Sequence, residues 1–343
     1  MNSGNGRPLI GITVGDPAGI GPEIVVKALQ DERVRQSVRP VVYADRACLE
    51  QTLGMLGVEM ELNAVSAPGE GVDADGVIDY VDVGSLDGPS DYGQISAAGG
   101  QAGYAYLQAA IDAALAGDVV GLATAPLNKE SLQAGQVPFI AHTAVLMDRA
   151  AHREAMTLFV VRSLRIFFLT RHISFREIAD AITREGIVEA LPLCELYLRQ
   201  LGIDRPKIAV AALNPHGGER GLFGTDEMDV IGPAVAEALG RGWQVAGPVP
   251  ADSVFNQCYE GRYDGVLSLY HDQGHIAAKT LDFHGTVSLT MGLKFLRTSV
   301  DHGTAFDIAG QGIADARGMV EALGAAGDYA ATVRARIDLE PVS

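Results

Sequence analysis

Short apolar segments alternate with helical patterns along almost the whole chain, and this alternation restricts the fold more than any other feature. The segment PLIGITVG (8–15) predicts a first strand, and PEIVVKALQ (22–30) predicts the helix that follows it. GQAGYAYLQAAIDAALAG (100–117) has helical periodicity and ends in a glycine, as many helices do. Strands that alternate with helices are typical of an α/β fold with a mainly parallel sheet.

The middle of the chain departs from this alternation. EAMTLFVVRSLRIFFLT (154–170) contains two apolar runs separated by RSLR, which predicts an antiparallel hairpin and therefore a mixed sheet. A length of 343 residues favours two lobes. Because no Pro/Ser-rich linker marks a boundary, we expect the lobes to share strands or crossover connections.

Charge and cysteine content exclude several classes of protein. A net charge of −17 repels phosphate backbones, so a nucleic-acid partner is not expected. No window approaches the ~20 apolar residues that a membrane span needs, so no membrane partner is expected either. Cys48, Cys194 and Cys258 lack C-x-x-C spacing, which favours a reducing compartment without disulfides, by default the cytoplasm.

Three histidines, His172, His216 and His271, follow apolar strand segments directly. One histidine in such a position is more often a structural group than a ligand. The carboxyl ends of parallel strands meet at one edge of a sheet, so the three imidazoles could come together there. Neutral imidazoles suit zinc, with nickel, cobalt or iron as competitors. A metal site is therefore one hypothesis, and three separate structural histidines are the other.

Charged side chains also lie near predicted strand ends. Without a function, Asp252 would be a helix N-cap and Asp272 a surface carboxylate. With a function, either would be a metal ligand or a carboxylate that fixes a histidine tautomer. Lys129, Lys279 and Arg297 are candidates for binding an anion against the negative field of the chain. Arg297 stands between apolar and glycine-rich segments, where a solvated role is less natural.

Six segments together resemble one family. They are GITVGDPAGIGPE (11–23), TAPLNKE (124–130), HT (142–143), LNPHGGERGLFG (213–224), YHDQGHIAAKTLDF (270–283) and RTSVDHGTAFDIAGQGIAD (297–315). In order and spacing they are similar to 4-hydroxythreonine-4-phosphate dehydrogenase of the vitamin B6 pathway and its relatives. The last segment also resembles the adenosine-side loop of isopropylmalate and isocitrate dehydrogenases.

The resemblance implies a fold and an assembly. The implied fold is that of isocitrate and isopropylmalate dehydrogenases, with two α/β lobes around a central cleft and a mixed sheet. Residues 1–133 and 303–343 would form a first lobe with the cofactor-side loop. Residues 134–302 would form a second lobe with the metal and substrate residues and the interface of a homodimer, whose active site is shared between subunits.

The resemblance also implies a reaction. The enzyme would use NAD or NADP and a divalent cation (Zn, Mg or Co) to oxidise the secondary hydroxyl of a 4-phosphorylated hydroxy acid. The β-keto product would then lose CO₂. A divalent cation suits both steps, because it lowers the pKa of a bound hydroxyl and stabilises an enolate.

Site residues follow from the same resemblance. The metal ligands fall on His172, His216 and His271, drawn from both subunits. The substrate contacts fall on His142, Thr143, Lys279, Ser288 and Arg297, and the cofactor contacts on Gly303, Thr304, Asp307 and Gly310. Lys279, Asp252 and Asp272 are the candidates for the catalytic groups.

The chain departs from the usual family pattern at the substrate end of the site. It has Ala141, Ala144 and Ser288 where the family usually has Gly, Glu and Asn. The reaction class is therefore better defined than the substrate, and erythronate 4-phosphate, threonate 4-phosphate or an aromatic-acid cis-dihydrodiol are alternatives. A hypothesis of another class is a non-catalytic paralogue that binds nucleotide or metal without turnover.

Overall fold

The computed structural model describes residues 6–342, which form two compact units. The first unit comprises residues 6–155 and 292–334, and the second comprises residues 156–291 and 335–342. The sequence predicted lobes that divide after residues 133 and 302, and those lobe boundaries stay a prediction. Among the described residues, no helix is both long and apolar enough to cross a membrane.

The first unit is built on parallel strands. Its elements are β1 (Leu9–Thr13), α1 (Gly21–Leu29), α2 (Glu32–Ser37), β2 (Arg39–Ala44), α3 (Arg46–Leu56), β3 (Glu61–Ala64), β4 (Val77–Asp82), α4 (Ala97–Ala116), β5 (Gly121–Thr124), α5 (Lys129–Ala134), α6 (His142–Ala150), β12 (Leu296–Ser299) and α12 (Arg317–Ala335). The strands lie in the order β3-β4-β2-β1-β5-β12, and each neighbouring pair is parallel.

The second unit combines a hairpin with parallel strands. Its elements are β6 (Ala151–Val161), β7 (Leu164–Phe168), α7 (Ile178–Ala181), α8 (Arg184–Gln200), β8 (Ile208–Ala211), α9 (Gly232–Gly240), β9 (Val245–Val249), α10 (Ala251–Tyr259), β10 (Gly265–Ser268), α11 (His271–Leu281) and β11 (Val287–Leu293). β6 and β11 each have residues in both units. The order is β6-β7-β10-β8-β9, and only the β6–β7 pair is antiparallel among these neighbours.

These elements confirm the predicted mixed α/β class. β1, α1 and the β6–β7 hairpin form where the sequence predicted them, and α4 ends at Gly117 with φ +87°. The sequence did not predict β3, whose four residues ELNA are all at least partly exposed. An edge strand of this kind has too few apolar residues to produce a recognisable pattern.

Packing in the second unit fixes the position of α11. A cluster of buried side chains from β6, β7, β10 and α10 forms the core, and it includes Phe159, Ile166 and Phe168. Gly274 of α11 lies directly against this cluster, because an added Cβ atom would come within 2.6 Å of the Phe168 ring. A glycine at this position therefore lets α11 approach the sheet closely.

Candidate active site

The three histidines follow strands that are neighbours in the second unit. β10 lies between β7 and β8, and Leu267 of β10 is in register with Phe167 and Val210. The carboxyl ends of these parallel strands therefore meet at one edge, as the sequence predicted. His271 is the first residue of α11, and its ring centroid lies 5.9 Å from that of His172.

Backbone bonds lock the segment that carries His172 to the end of β10. The amide of Leu169 donates to the carbonyl of Ser268 at 2.8 Å, and the amide of Thr170 donates to the carbonyl of Leu269 at 3.2 Å. These bonds continue the strand pairing for two residues beyond β7. They hold the His172 segment beside the first turn of α11.

Gln273 is a positioning residue that the sequence pattern did not indicate. Its buried side-chain oxygen accepts a bond from the Leu269 amide at 2.8 Å. Its nitrogen donates to the carbonyl of Ala212, just after β8, at 2.8 Å. One side chain thus ties the end of β8 to the β10–α11 corner. The residue was visible in HDQGH, but a polar glutamine that follows the charged Asp272 is typical of the protein surface.

The His271 ring has a defined orientation. Its Nδ1 atom lies 2.7 Å from Oδ1 of Asp272, and its ring stacks on that of His275 at 3.6 Å and 16°. A carboxylate accepts only from a protonated ring nitrogen, so in the neutral ring the lone pair lies on Nε2. Asp272 remains exposed while it fixes this tautomer, which is a common arrangement beside a bound metal.

His216 lies in a left-handed turn. All six residues 216–221 have positive φ, and three of them are not glycine: His216 at +54°, Glu219 at +44° and Arg220 at +55°. Left-handed conformation costs a non-glycine residue ~1–2 kcal/mol. Backbone strain of this kind persists only where the surroundings enforce it, and it is concentrated at functional sites.

Glu227 holds the backbone that leads into that turn, and the sequence pattern did not indicate this role either. This buried carboxylate accepts bonds from the amides of Leu213 and Asn214 at 2.8 and 2.7 Å, and from the Asn214 side chain at 3.0 Å. A Cβ atom at Gly218 would lie 2.6 Å from Oε2 of Glu227. The carboxylate therefore fixes the backbone just before the turn that carries His216, and it leaves no room for a side chain at Gly218.

The residues fit a divalent cation in part. Two imidazoles bound to one ion at ~2.0–2.1 Å have ring centroids roughly 5–6 Å apart, which agrees with His172 and His271. In the described part of the chain, however, no group of three or more His, Cys, Asp or Glu residues could hold a metal. His216 is not brought into such a group within one chain. The three-histidine metal site stays a prediction.

The other predicted residues of the second unit are spread over three elements. Asp252 is exposed in the first turn of α10, whose N-cap is Pro250, so the N-cap interpretation of Asp252 is wrong. Lys279 follows His271 by eight residues, a little over two helical turns, along α11. Its amine lies 5.1 Å from the centre of the Phe283 ring. Ser288 is half-buried in β11.

A buried cation lies in the first unit. Arg297 of β12 is 7% exposed, and its Nε and Nη2 atoms donate to the Thr124 hydroxyl at 2.9 and 2.7 Å. Burial lowers the pKa of Arg297 to about 10, so the guanidinium stays charged at neutral pH. Thr124 is fully buried at the end of β5, which pairs with β12. The threonine holds the guanidinium in one orientation.

The positive charge of Arg297 affects the pKa of His142. Burial, and then the Arg297 charge, hold the pKa of His142 well below its usual value, although a backbone hydrogen bond with Ala125 opposes the shift. His142 is therefore neutral at pH 7. Its buried Nε2 atom has no hydrogen-bond partner among residues 6–342. Thr143 follows it and is half-buried, whereas Ala144 is exposed.

The predicted cofactor residues lie on a segment without helix or strand. Thr304 is buried, whereas Gly303 and Asp307 are exposed. Gly310 has φ +77°, and a Cβ atom there would lie 2.4 Å from the ring of Tyr92. A side chain at this position would therefore displace the segment.

Comparison with known proteins gives close relatives. A family model described as pyridoxal phosphate biosynthetic protein PdxA matches residues 36–326. A relative from Symbiobacterium thermophilum, with the provisional name D-threonate 4-phosphate dehydrogenase, is 49% identical over 329 residues. The match covers 96% of this chain and 98% of the relative.

Comparison with solved structures leads to the same family. 4-Hydroxythreonine-4-phosphate dehydrogenase from Klebsiella pneumoniae is 38% identical, with a TM-score of 0.87 over 94% of this chain and 98% of that chain. A terephthalate 1,2-cis-dihydrodiol dehydrogenase from Burkholderia xenovorans LB400 is more distant, at 28% identity and a TM-score of 0.58 over 90% of this chain and 94% of that chain. All these relatives are dehydrogenases, and this chain is accordingly an oxidoreductase. By sequence and by structure, it belongs to the family of the pyridoxal phosphate biosynthetic protein PdxA.

Proposed function

We propose that this enzyme oxidises the secondary hydroxyl of threonate 4-phosphate, with NAD or NADP as hydride acceptor, a divalent metal, and loss of CO₂ from the β-keto product. The main observation in favour of an anionic substrate is the buried guanidinium of Arg297. It remains charged inside a chain of net charge −17, so it creates a local positive field where a phosphate or carboxylate can bind. His142, Thr143, Lys279 and Ser288 complete the proposed substrate contacts.

Thr124→Val should raise KM for the phosphorylated substrate by roughly tenfold or more, with a smaller change in kcat. The reason is that valine removes the oxygen that orients Arg297 through two hydrogen bonds, each worth ~1.5–3 kcal/mol when the donor is charged. Steady-state kinetics and thermal unfolding of the same samples measure the effect. Thr124→Ser keeps the oxygen and should restore KM.

Thr13→Val is a matched control for that experiment. Thr13 is in register with Thr124 on the neighbouring strand and is equally buried, but its hydroxyl has no partner among the described residues. Its loss should leave KM unchanged. Equal effects of the two valine variants would mean that Thr124 acts only through packing.

The metal and the cofactor would be held by separate residues. His172, His216 and His271 are the proposed metal ligands, and Gly303, Thr304, Asp307 and Gly310 the proposed cofactor contacts. When bound, a divalent cation would polarise the substrate hydroxyl and the nicotinamide would accept the hydride. Lys279, Asp252 and Asp272 are the proposed candidates for proton transfer. The bond between Asp272 and His271 supports a tautomer with Nε2 free to bind metal.

A homodimer with a shared active site is part of the proposal. Each segment that carries a metal histidine also exposes large apolar side chains: Phe175 after His172, Leu222 after His216 and Ile276 after His271, at 79%, 74% and 64% exposure. Exposed apolar side chains concentrated around a site are typical of a surface that another protein covers. A second copy of this chain would also supply the histidine that one chain does not bring to the other two.

The cysteines support a reducing compartment. Cys48, Cys194 and Cys258 are all free and buried. Burial raises the pKa of each thiol, so the reactive thiolate is disfavoured. These properties fit the proposed cytoplasmic location.

The substrate end of the site favours an acid without an amino group. Ala144 and Ser288 are shorter than the Glu and Asn usual in the family, so a partner for a substrate ammonium group is lost. A site that lacks such partners loses its discrimination in favour of the amino compound. The name carried by the Symbiobacterium relative, D-threonate 4-phosphate dehydrogenase, supports the same choice.

We expect kcat/KM for threonate 4-phosphate to exceed that for 4-hydroxythreonine 4-phosphate by roughly tenfold to a hundredfold, which corresponds to one unpaired polar group. Nicotinamide absorbance with each acid, NAD or NADP, and Zn, Mg or Co measures it. Erythronate 4-phosphate and an aromatic-acid cis-dihydrodiol belong in the same screen. Higher kcat/KM for the amino substrate would refute the assignment, and no turnover of any acid would favour the non-catalytic paralogue.

A further inference from the structure

The glycine-rich segment 303–314 is fixed at its ends and open in its middle. It contains no helix or strand. Thr304 and Ala314, near its two ends, are buried, whereas Asp307 and Ile313 are exposed. A segment of this length without regular structure keeps one conformation only if other residues hold it.

The start of the segment is held by two loops. The carbonyl of Thr304 accepts a bond from the Ile20 amide at 3.0 Å. The Asn128 side chain donates to the Thr304 hydroxyl at 3.3 Å. These contacts join the segment to the loop before α1 and to the N-cap of α5.

The end of the segment is held by two side chains of α1. Oε1 of Glu23 accepts a bond from the Ala314 amide at 2.7 Å. Lys27 donates to the carbonyls of Gly312 and Ala314 at 2.9 and 2.8 Å, and it pairs with Glu23 at 2.7 Å. Glu23 is 1% exposed, so solvent screens the pair little. The Glu23–Lys27 clasp is this set of four contacts.

We infer that the Glu23–Lys27 clasp positions the segment 303–314 for dinucleotide binding, which makes Glu23 and Lys27 positioning residues for the cofactor. The inference rests on the proposed function, in which this segment contacts the cofactor. Hydrogen bonds with a charged partner are the stronger ones, and three of them fix the backbone of residues 312–314. A segment that is already ordered does not have to lose conformational freedom when it binds a ligand.

Lys27→Met tests the clasp, because it keeps the alkyl stem and removes the ammonium group. We expect amide hydrogen exchange in 312–314 to speed up at least tenfold, and the Kd for the preferred nicotinamide dinucleotide to rise about tenfold in calorimetric titration. At saturating cofactor, kcat should stay within about twofold of the wild type, because the clasp acts on binding. Lys27→Arg should restore part of the affinity.

Arg46→Met is the matched control. Arg46 and Glu50 form a pair with the same i,i+4 spacing and the same 2.7 Å distance on α3, but both are more than half exposed. Exchange and Kd should be unchanged in this variant. Lys27→Met values equal to those of Arg46→Met would overturn the inference. If Lys27→Met fails to fold, Glu23→Gln, which keeps the shape and an acceptor oxygen, should still raise Kd by about threefold, and an unchanged Kd there would overturn it as well.

Dinucleotide binding by the wild-type protein distinguishes failure of the proposed function from failure of the clasp. If the wild type binds neither NAD nor NADP, the proposed function fails and the cofactor role of the clasp is overturned with it. If the wild type binds the dinucleotide and Lys27→Met binds it equally well, only the clasp fails. Faster exchange together with weaker binding supports both.

Discussion

His216→Asn should remove most of the bound divalent metal and lower kcat/KM by roughly a thousandfold or more, because one of three proposed ligands is lost. Asparagine is a better replacement than alanine here, because it perturbs the backbone less. His216 has φ +54°, a conformation that asparagine adopts more readily than alanine does. The folded structure should therefore persist, and the loss can be assigned to the ligand. Metal analysis of purified protein, with kinetics on the same samples, measures both quantities.

His152→Asn is a suitable control for that experiment. His152 is exposed on β6 and is not a proposed ligand, so its loss should leave the metal content unchanged. Unchanged metal content in His216→Asn would remove His216 from the site. Loss of metal without loss of turnover would mean that the metal is not required for the reaction.

In the proposed homodimer, mixing His172→Ala with His216→Ala subunits should restore activity that neither variant has alone. Within one chain the rings of His172 and His271 are 5.9 Å apart, whereas His216 is not brought into their group. If His216 comes from the partner, one of the two sites in a mixed dimer has all three histidines. Complete exchange at equal amounts should therefore restore roughly a quarter of wild-type activity.

Mixing His172→Ala with His271→Ala gives the complementary result. If both histidines come from the same chain, every site in the mixed dimer lacks one of them, and activity should stay near zero. Subunit exchange is verified by mass spectrometry of differently tagged chains before activity is measured. Recovery in this second mixture, with none in the first, would mean that His172 and His271 belong to different chains in the working site.

The sequence predicted the parts of the structure that depend on local pattern. The β6–β7 hairpin followed from two apolar runs, and the common edge reached by His172, His216 and His271 followed from three strands with polar residues after them. These features depend on residues that are close together in the chain, so they can be predicted from a single sequence. The same holds for the end of α4 at Gly117.

The contacts that the sequence did not predict join residues that are distant along the chain. The hydrogen bond between Thr124 and Arg297 joins residues that are 173 positions apart in the chain. Arg297 lies in β12, whose sequence LRTS is mostly polar, so the sequence does not show that this strand is buried. Glu227 acts on the turn that carries His216 from a following helical segment, and as a carboxylate it reads as a surface residue. A local sequence pattern does not show which carboxylate is buried or which hydrogen bonds it accepts, because tertiary packing decides both.

The place of β12 in the first unit has a consequence for biosynthesis. β5 pairs with β12, and Gly121 is in register with Leu296. More than half of the chain's 343 residues, including most of the second unit, are translated between those two positions. The edge of β5 that β12 covers therefore stays open on the ribosome until the last seventh or so of the chain is made, because long-range pairing must wait for both partners. During that interval the open edge of β5 can pair with a strand of another chain, as any unpaired strand edge can.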